Sequence, residues 1–340
     1  MANAFRSVLA SSGGEISVDS LEITTPASKT IFNVGETFNT SGLVVTGSVG
    51  GLTGDVTSEC TITPPSTIFT SEDIGYHDIP INYYGTIITY QIRVRQGVDI
   101  VPWATGTDKQ ILDMINAYYN GELSFDDIEG WDVGAERTVQ LSAMSATDVS
   151  ESHASQQATF VILHKGGIDL TTPINGISKC AFVIGMKNCL TTSTSGETGY
   201  IDSDSSLTNY VNSKRRTWCN NVFRNAIPST LKECFKQFKN PMYNGSTVVT
   251  YDDYFTLPSS TELGQTNGVT EGFQFSYYSN ASKCIKQWGD GTSLVNREYF
   301  VRTPNISTAG RWCTVTNTGV VINYVLYCSS KTGITVQGVI

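Results

Sequence analysis

Short runs in which apolar and polar residues alternate fill the first hundred positions. Leu21-Glu-Ile-Thr24, Thr30 to Phe38, Gly42-Leu-Val-Val-Thr46, Ile79-Pro-Ile-Asn-Tyr-Tyr84 and Thr86 to Val94 are the clearest of them. A period of two bounded by Gly, Pro and Asn marks half-buried strands. Strands of this length and spacing predict a small all-β sandwich over 15–97. His77 falls in the loop before the penultimate strand, where a hydrogen-bonded loop histidine is expected rather than a ligand. Residues 1–14 precede the alternation and read as an N-terminal arm.

The period changes after Val98. Ile111, Leu112, Ile115 and Tyr118 or Tyr119 fall on one helical face, with Thr107 or Asp108 as cap and Asn120-Gly121 as terminator. So short a helix needs a partner to pack on. The following domain is the expected partner, which makes 98–130 a helical connector. From Trp131 the runs Arg137–Met144, Ala158–Leu163 and Cys180–Met186 predict strands, the last two apolar enough to be central. A helix is predicted over Leu207–Arg224, with Leu207, Tyr210, Val211, Trp218 and Val222 inward. A second starts at Pro228 and buries Leu231, Cys234, Phe235 and Phe238. Short β-branched and aromatic runs then continue from Tyr251 to Ile340. Strands, two helices and strands again predict an α+β domain over 131–340. The chain is therefore expected to be multidomain.

Length agrees, since 340 residues is more than one ordinary domain requires. Charged residues make up 16% of the chain and hydrophobic ones 39%, so the surface must be built largely from Ser, Thr, Asn and Gly. That composition suits extracellular β modules and particle proteins. A net charge of −9 argues against general nucleic-acid binding, which needs cations to neutralise phosphate. No apolar run approaches the ~18–20 residues that span a bilayer. The first 14 residues lack the apolar core of a signal peptide, so no membrane insertion or secretory leader is expected.

Candidate chemistry is sparse. None of the eight cysteines stands in a CxxC spacing, and buried thiols are expected. His153 sits in a polar loop and His164 ends an apolar strand, with no nucleophile marked beside either. Asp126, Asp127 and Glu129 read as solvated, capping carboxylates. Lys214, Arg215, Arg216, Arg224, Lys232, Lys236 and Lys239 gather positive charge on the two helices, as a solvated face or a contact for an acidic partner.

Several stretches resemble known families. Asn33-Val-Gly-Glu36, Gly42-Leu-Val-Val-Thr46 and Tyr90-Gln-Ile-Arg-Val94 are similar to bacterial Ig-like domains, which serve as spacers or adhesive units. Trp131-Asp-Val-Gly134, Val139-Gln-Leu141, Ser213 to Arg216, Ile227-Pro228, Leu257-Pro-Ser259, Tyr299-Phe-Val-Arg-Thr-Pro304 and the closing glycine-led strand resemble a family of unknown function found in Gram-positive bacteria and their phages. That family is similar in turn to the C-type-lectin-like fold of formylglycine-generating enzymes and phage variable proteins. The resemblance runs in order over 131–340. It departs where Tyr299-Phe replaces a usual double tryptophan and where the chain stops at Ile340, so the closing strand is expected to be short or completed by a neighbouring subunit. Thr303-Pro-Asn305 and Trp288-Gly-Asp290 lack oxygen ligands that a lectin calcium site needs. No metal or cofactor is expected.

The contact surface is expected at Tyr277, Tyr278, Asn280, Trp288, Tyr299, Arg302, Asn305, Arg311, Asn323 and Tyr324. Aromatic bodies with polar tips are the residues of recognition faces, and phage variable proteins place theirs at this end of the fold. Phe273, Phe275 and Trp312 are expected in the core. The reading that follows is a non-enzymatic phage virion protein of tail-fibre or receptor-binding type. It would be anchored to other virion proteins through the arm or the Ig-like module, and would offer its lectin-like domain to a host-surface glycan or protein. A homo-oligomer such as a trimer is what particle symmetry implies. A capsid decoration protein or head fibre with the same modules is the alternative, and an enzyme of the formylglycine-generating-like fold is the alternative of another class.

Overall fold

The computed structural model describes residues 18–95, 97–190, 201–202, 207–265, 268–288, 295–305, 311–327 and 333–340. The side chains of Trp288, Val295, Arg297, Arg311 and 323–327 are excepted. The expected arm lies outside the described residues. The chain divides between Val98 and Asp99 into two compact units, and both are built mainly from β-sheet.

The first unit contains β1 (Ser20–Thr25), β2 (Ile31–Asn33), β3 (Val44–Val49), β4 (Leu52–Asp55), β5 (Thr61–Ile62), β6 (Gly75–Tyr83) and β7 (Thr86–Arg95). They form a three-stranded sheet, β1-β3-β4, and a four-stranded sheet, β2-β7-β6-β5. Phe32, Val45, Phe69, Ile81, Ile92 and Val94 make their shared core, with the Phe32 and Phe69 rings 5.1 Å apart. Tyr84 and Gly85 both have positive φ, the two-residue turn whose twist suits a hairpin, and they close β6 onto β7. His77 lies within β6 rather than in a loop, and its Nε2 meets the Asp73 carbonyl at 2.5 Å.

The second unit opens with helix α1 (Asp108–Tyr119), capped by Thr107 with Gln110 in a reciprocal box. Ile111, Met114 and Ile115 are fully buried. Arg137 grips the segment before the helix, donating to the carbonyls of Trp103 and Gly106 and to Asp108. The Trp103 and Trp131 rings pack tilted, 5.1 Å apart, and the Trp131 indole donates to the Val101 carbonyl. Residues 99–130 are thereby an integral part of this unit's core.

Strands β8 (Glu136–Leu141), β9 (Gln156–Lys165), β10 (Asp169–Ile174), β11 (Ile177–Lys179) and β12 (Phe182–Met186) follow. A helical stretch then runs from α2 (Lys214–Trp218) through a π-turn (Cys219–Phe223) to Arg224–Ala226, and α3 is Ser229–Cys234. The remaining strands are β13 (Phe238–Tyr243), β14 (Val248–Asp253), β15 (Phe255–Thr256), β16 (Lys286–Trp288), β17 (Val295–Arg297), β18 (Tyr299–Pro304), β19 (Arg311–Val315), β20 (Val321–Tyr327) and β21 (Gln337–Val339). The central sheet is β15-β21-β12-β9-β8, flanked by β11-β10-β13-β14 and β18-β19-β20.

Two helix predictions need correction. The first helix starts at its Ser213 cap, not at Leu207, because the Ser213 hydroxyl accepts from the Arg216 amide. The second ends at Cys234. Phe235 and Phe238 are buried as expected, but Phe238 opens β13. Apolar residues at positions 231, 234, 235 and 238 fit a helix period, while the Asn244-Gly245 turn downstream is a hairpin signal that fits the observed pairing of β13 with β14.

The closing strand is three residues long and internal, with Gly338 paired to Ile184 on one side and Phe255 on the other. A Cβ on Gly338 would stand 2.6 Å from the Tyr254 carbonyl and 2.8 Å from the Phe255 ring. Gly338→Ala is expected to lower stability by about 1–3 kcal/mol, the range for overpacking a filled core. Urea denaturation of the purified chain measures it.

Candidate functional site

The stretch Leu257-Pro-Ser-Ser-Thr-Glu-Leu-Gly264 connects β15 to the loops before β16 and carries Glu262 into the interior. Arg302, from β18, meets it with both guanidinium arms, at 2.8 Å to Oε2 and 2.7 Å to Oε1, and also donates to the Leu257 carbonyl. Gln337 of β21 donates to the same carboxylate at 2.7 Å, and so does the Ser259 amide at 2.8 Å. A second buried carboxylate, Glu271, accepts from the Thr303 hydroxyl at 2.5 Å and the Tyr243 amide at 2.8 Å. Burial pushes the Glu271 carboxyl up, against the pull of Arg302. All four residues are at most 3% exposed. The network ties the Leu257–Gly264 stretch, Glu271, β13, β18 and β21 together, with Arg302 facing Glu262.

A cleft of about 220 Å³ opens beside this network, with Glu262 in its wall. It lies where β10 and β13 part company. Leu170 pairs with Phe238, and the ladder between the two strands goes no further in that direction. Gly167, Asp169, Asn240, Pro241 and Phe273 are among the residues that line it. Phe275 is wholly buried behind, whereas Phe273, expected in the core, is 38% exposed. The two rings meet edge to face at 5.5 Å, with the His164 ring 5.1 Å from Phe273.

The expected contact residues separate into three groups. Tyr277, Tyr278, Tyr299 and Arg302 are buried, which corrects their placement on a surface. The tyrosines sit on a 3-10 turn packed on β9 and on a strand buried at every position. Their polar tips are used inside, as in the 2.8 Å bond from the Tyr299 hydroxyl to the Cys284 carbonyl. Asn280 is exposed and caps the turn at Ala281, and Asn305 is half-buried. The side chains of Trp288, Arg311, Asn323 and Tyr324 lie outside the described residues. Sequence reasoning missed the cleft, although Asn175-Gly176 marked the β10–β11 hairpin beside it; both residues have positive φ.

The cationic residues of the helical stretch turn largely to local partners. Lys214 pairs with Asp148 at 2.7 Å and Arg216 with Asp253 at 2.9 Å, while Arg224 lies 3.5 Å over the Tyr254 ring. Arg215 is wholly buried, donates to the Val149 carbonyl, and is pushed down to about 10 by that burial. The seven described cysteines form no disulfide, and six are buried; Cys328 lies outside the described residues. Burial pushes the Cys180, Cys219, Cys234 and Cys313 thiols up to about 12, so they carry almost no thiolate at neutral pH. His153 is buried against the Ser150 hydroxyl at 3.1 Å. Asp127 caps its own turn through Ser124. The described residues contain no cluster of three or more metal-ligating side chains, and no helix long and apolar enough to cross a membrane.

Residues 186–336 fit the family model of a domain of unknown function, DUF6273. The matched region holds Glu262, Glu271 and Arg302 and stops one residue short of Gln337. This part of the chain is therefore similar to an unknown-function family. No curated protein matches the chain.

Arg302→Met would leave the Glu262 carboxylate buried without its cation. A loss of roughly 3–5 kcal/mol is expected in urea denaturation. The double variant Arg302→Met/Glu262→Leu should recover part of that loss, because it removes the stranded charge. Lys286 offers a second test. It is fully buried, its Nζ donates to the Met186 carbonyl at 2.6 Å, and burial pushes it down to about 8. The unfolded chain holds that proton up to ~10.4. Lys286 therefore opposes folding below pH 8, and the penalty fades as pH rises. Lys286→Met is expected to melt higher than the parent at pH 7, with the difference shrinking toward pH 10. Comparison at each pH cancels the buried thiols, whose raised pKa values lower stability in alkali in both proteins.

Proposed function

We propose that this chain is a displayed attachment protein of a phage particle. In this reading the first unit is an Ig-like spacer and the second a lectin-like head that holds a host-surface ligand. The observation that supports it best is the division of labour around Glu262. The charged side chains there are engaged with one another as a scaffold, and the aromatic-walled cleft beside them is open. A rigid frame beside a concave, partly apolar recess is how binding sites are usually built. The Ser/Thr/Asn-rich composition suits a particle protein.

The purified full chain is expected to bind saturably to cell envelopes of the Gram-positive host. Antibody raised against it should label particles made by the phage that carries the gene. Label on the tail supports a receptor-binding role, and label on the head supports decoration of the capsid. Unlabelled particles overturn the virion reading, and absence of envelope binding overturns attachment.

A further inference from the structure

We propose that Asn175 is a site of self-modification. Its side-chain amide is lost to attack by the Gly176 backbone nitrogen, and the conversion releases the β10–β11 hairpin from the end of helix α1.

The chain carries four Asn-Gly pairs, at 120, 175, 244 and 267, and Asn267 lies outside the described residues. Glycine has no Cβ to shield the backbone nitrogen that follows an asparagine. Ring closure then needs two freedoms: a glycine amide that is not engaged, and a carboxamide that can swing onto it. The structure sorts the three described pairs on that basis. The Gly121 amide is engaged, donating to the Tyr118 carbonyl at 3.0 Å. Asn120 is held at both tips, with Nδ2 donating to Glu122 at 3.4 Å and Oδ1 accepting from Asn175 Nδ2 at 2.8 Å. Asn244 is clamped over its own turn, because its Oδ1 accepts from the Ser246 and Thr247 amides, both at 3.0 Å. Asn175 and Gly176 differ. They are the exposed two-residue turn closed by the Ile174–Ile177 pair, with φ of 48° and 84°. The central amides of such a turn lie outside the strand ladder. Nothing stands within 4 Å of where a Gly176 Cβ would be. One bond, from Nδ2 to Asn120, restrains the Asn175 carboxamide.

The Gly176 nitrogen attacks Asn175 Cγ. The new C–N bond closes a succinimide ring as the Cγ–Nδ2 bond breaks, and Nδ2 leaves as ammonia with the proton of the Gly176 amide. Water then opens the ring at either carbonyl, giving aspartate or isoaspartate. The product cannot remake the contact. Asn120 turns its Nδ2 to the Glu122 carboxylate, so its Oδ1 faces Asn175 and needs a donor there. A carboxylate at 175 has none to give, and oxygen meets oxygen. Isoaspartate also adds a methylene to a turn whose length sets the pairing of the two strands. The bond that is lost joins the last residue of α1's cap to the tip of the hairpin, 55 residues on.

The test is peptide mass mapping of the full chain, aged folded at mildly alkaline pH and digested with trypsin. Cleavage after Lys165 and Lys179 yields peptide 166–179, in which Asn175 is the sole Asn or Gln. That peptide should gain one mass unit with time, and isoaspartyl methyltransferase should label it. Conversion at Asn120 should be roughly fivefold slower, the factor that one hydrogen bond broken beforehand is worth. A folded chain whose 166–179 peptide keeps its mass while the urea-unfolded chain converts overturns the proposal, as does earlier conversion at Asn120 or Asn244. Asn175→Asp tests the release. It should lower the melting temperature by roughly 2–4 °C, and by clearly less in an Asn120→Ala background, where the contact is already gone. An equal loss in both backgrounds would show that the hairpin is not held through Asn120.

Discussion

The second unit depends on a guanidinium held against a carboxylate with no water between them. Arg302 and Glu262 come from segments forty residues apart, and both are removed from solvent. Such a pair is costly to bury unless most of its remaining lone pairs and protons find partners. The Leu257 carbonyl, the Ser259 amide and Gln337 supply most of them. Satisfying the pair therefore dictates where the Leu257–Gly264 loop, β18 and β21 must lie. Fixing β21 in turn fixes the central sheet, since that strand is hydrogen-bonded to both β12 and β15.

That constraint explains why so many polar and aromatic side chains of the terminal region are interior. A β-strand with one wet face alternates, but β18 is buried at all six positions. Tyr299, Arg302 and Thr303 are there because they complete hydrogen bonds, not because they meet a partner molecule. Compensation is not complete: Arg302 Nε and Gln337 Oε1 have no partner, and Lys286 is a further buried charge. Its ammonium group reaches the Met186 carbonyl and the Tyr278 hydroxyl, and burial lowers its pKa accordingly. The recess with Glu262 in its wall lies where two strands separate after a single pair.

Much of the local structure was legible from residue order. The Thr107–Gln110 capping box, the α1 core face at Ile111 and Ile115, and the Tyr84-Gly85 hairpin follow from short-range chemistry. Leu231, Cys234, Phe235 and Phe238 show the limit. Their spacing suits a helix, but β14 offers Phe238 a ladder of hydrogen bonds, and the helix stops at Cys234. Tyr277, Tyr278, Tyr299 and Arg302 depart from the expected surface for a related reason. Tyr, Arg and Asn have the same composition whether their polar tips face water or one another, and composition carries no information on which.

The sequence by itself determined that the chain is β-rich and multidomain, where its first helix begins and ends, and that its cysteines would be mostly buried thiols, as six of the seven described ones are. These follow from periods of two and 3.6, from capping residues, and from the hydrophobic character of the thiol. Only the tertiary structure decided that Arg302 answers Glu262, that Asn240 has an acceptor left over, and that Phe273 stands partly in solvent. Each depends on residues far apart in the chain meeting at hydrogen-bond distance, and no local pattern encodes such a meeting.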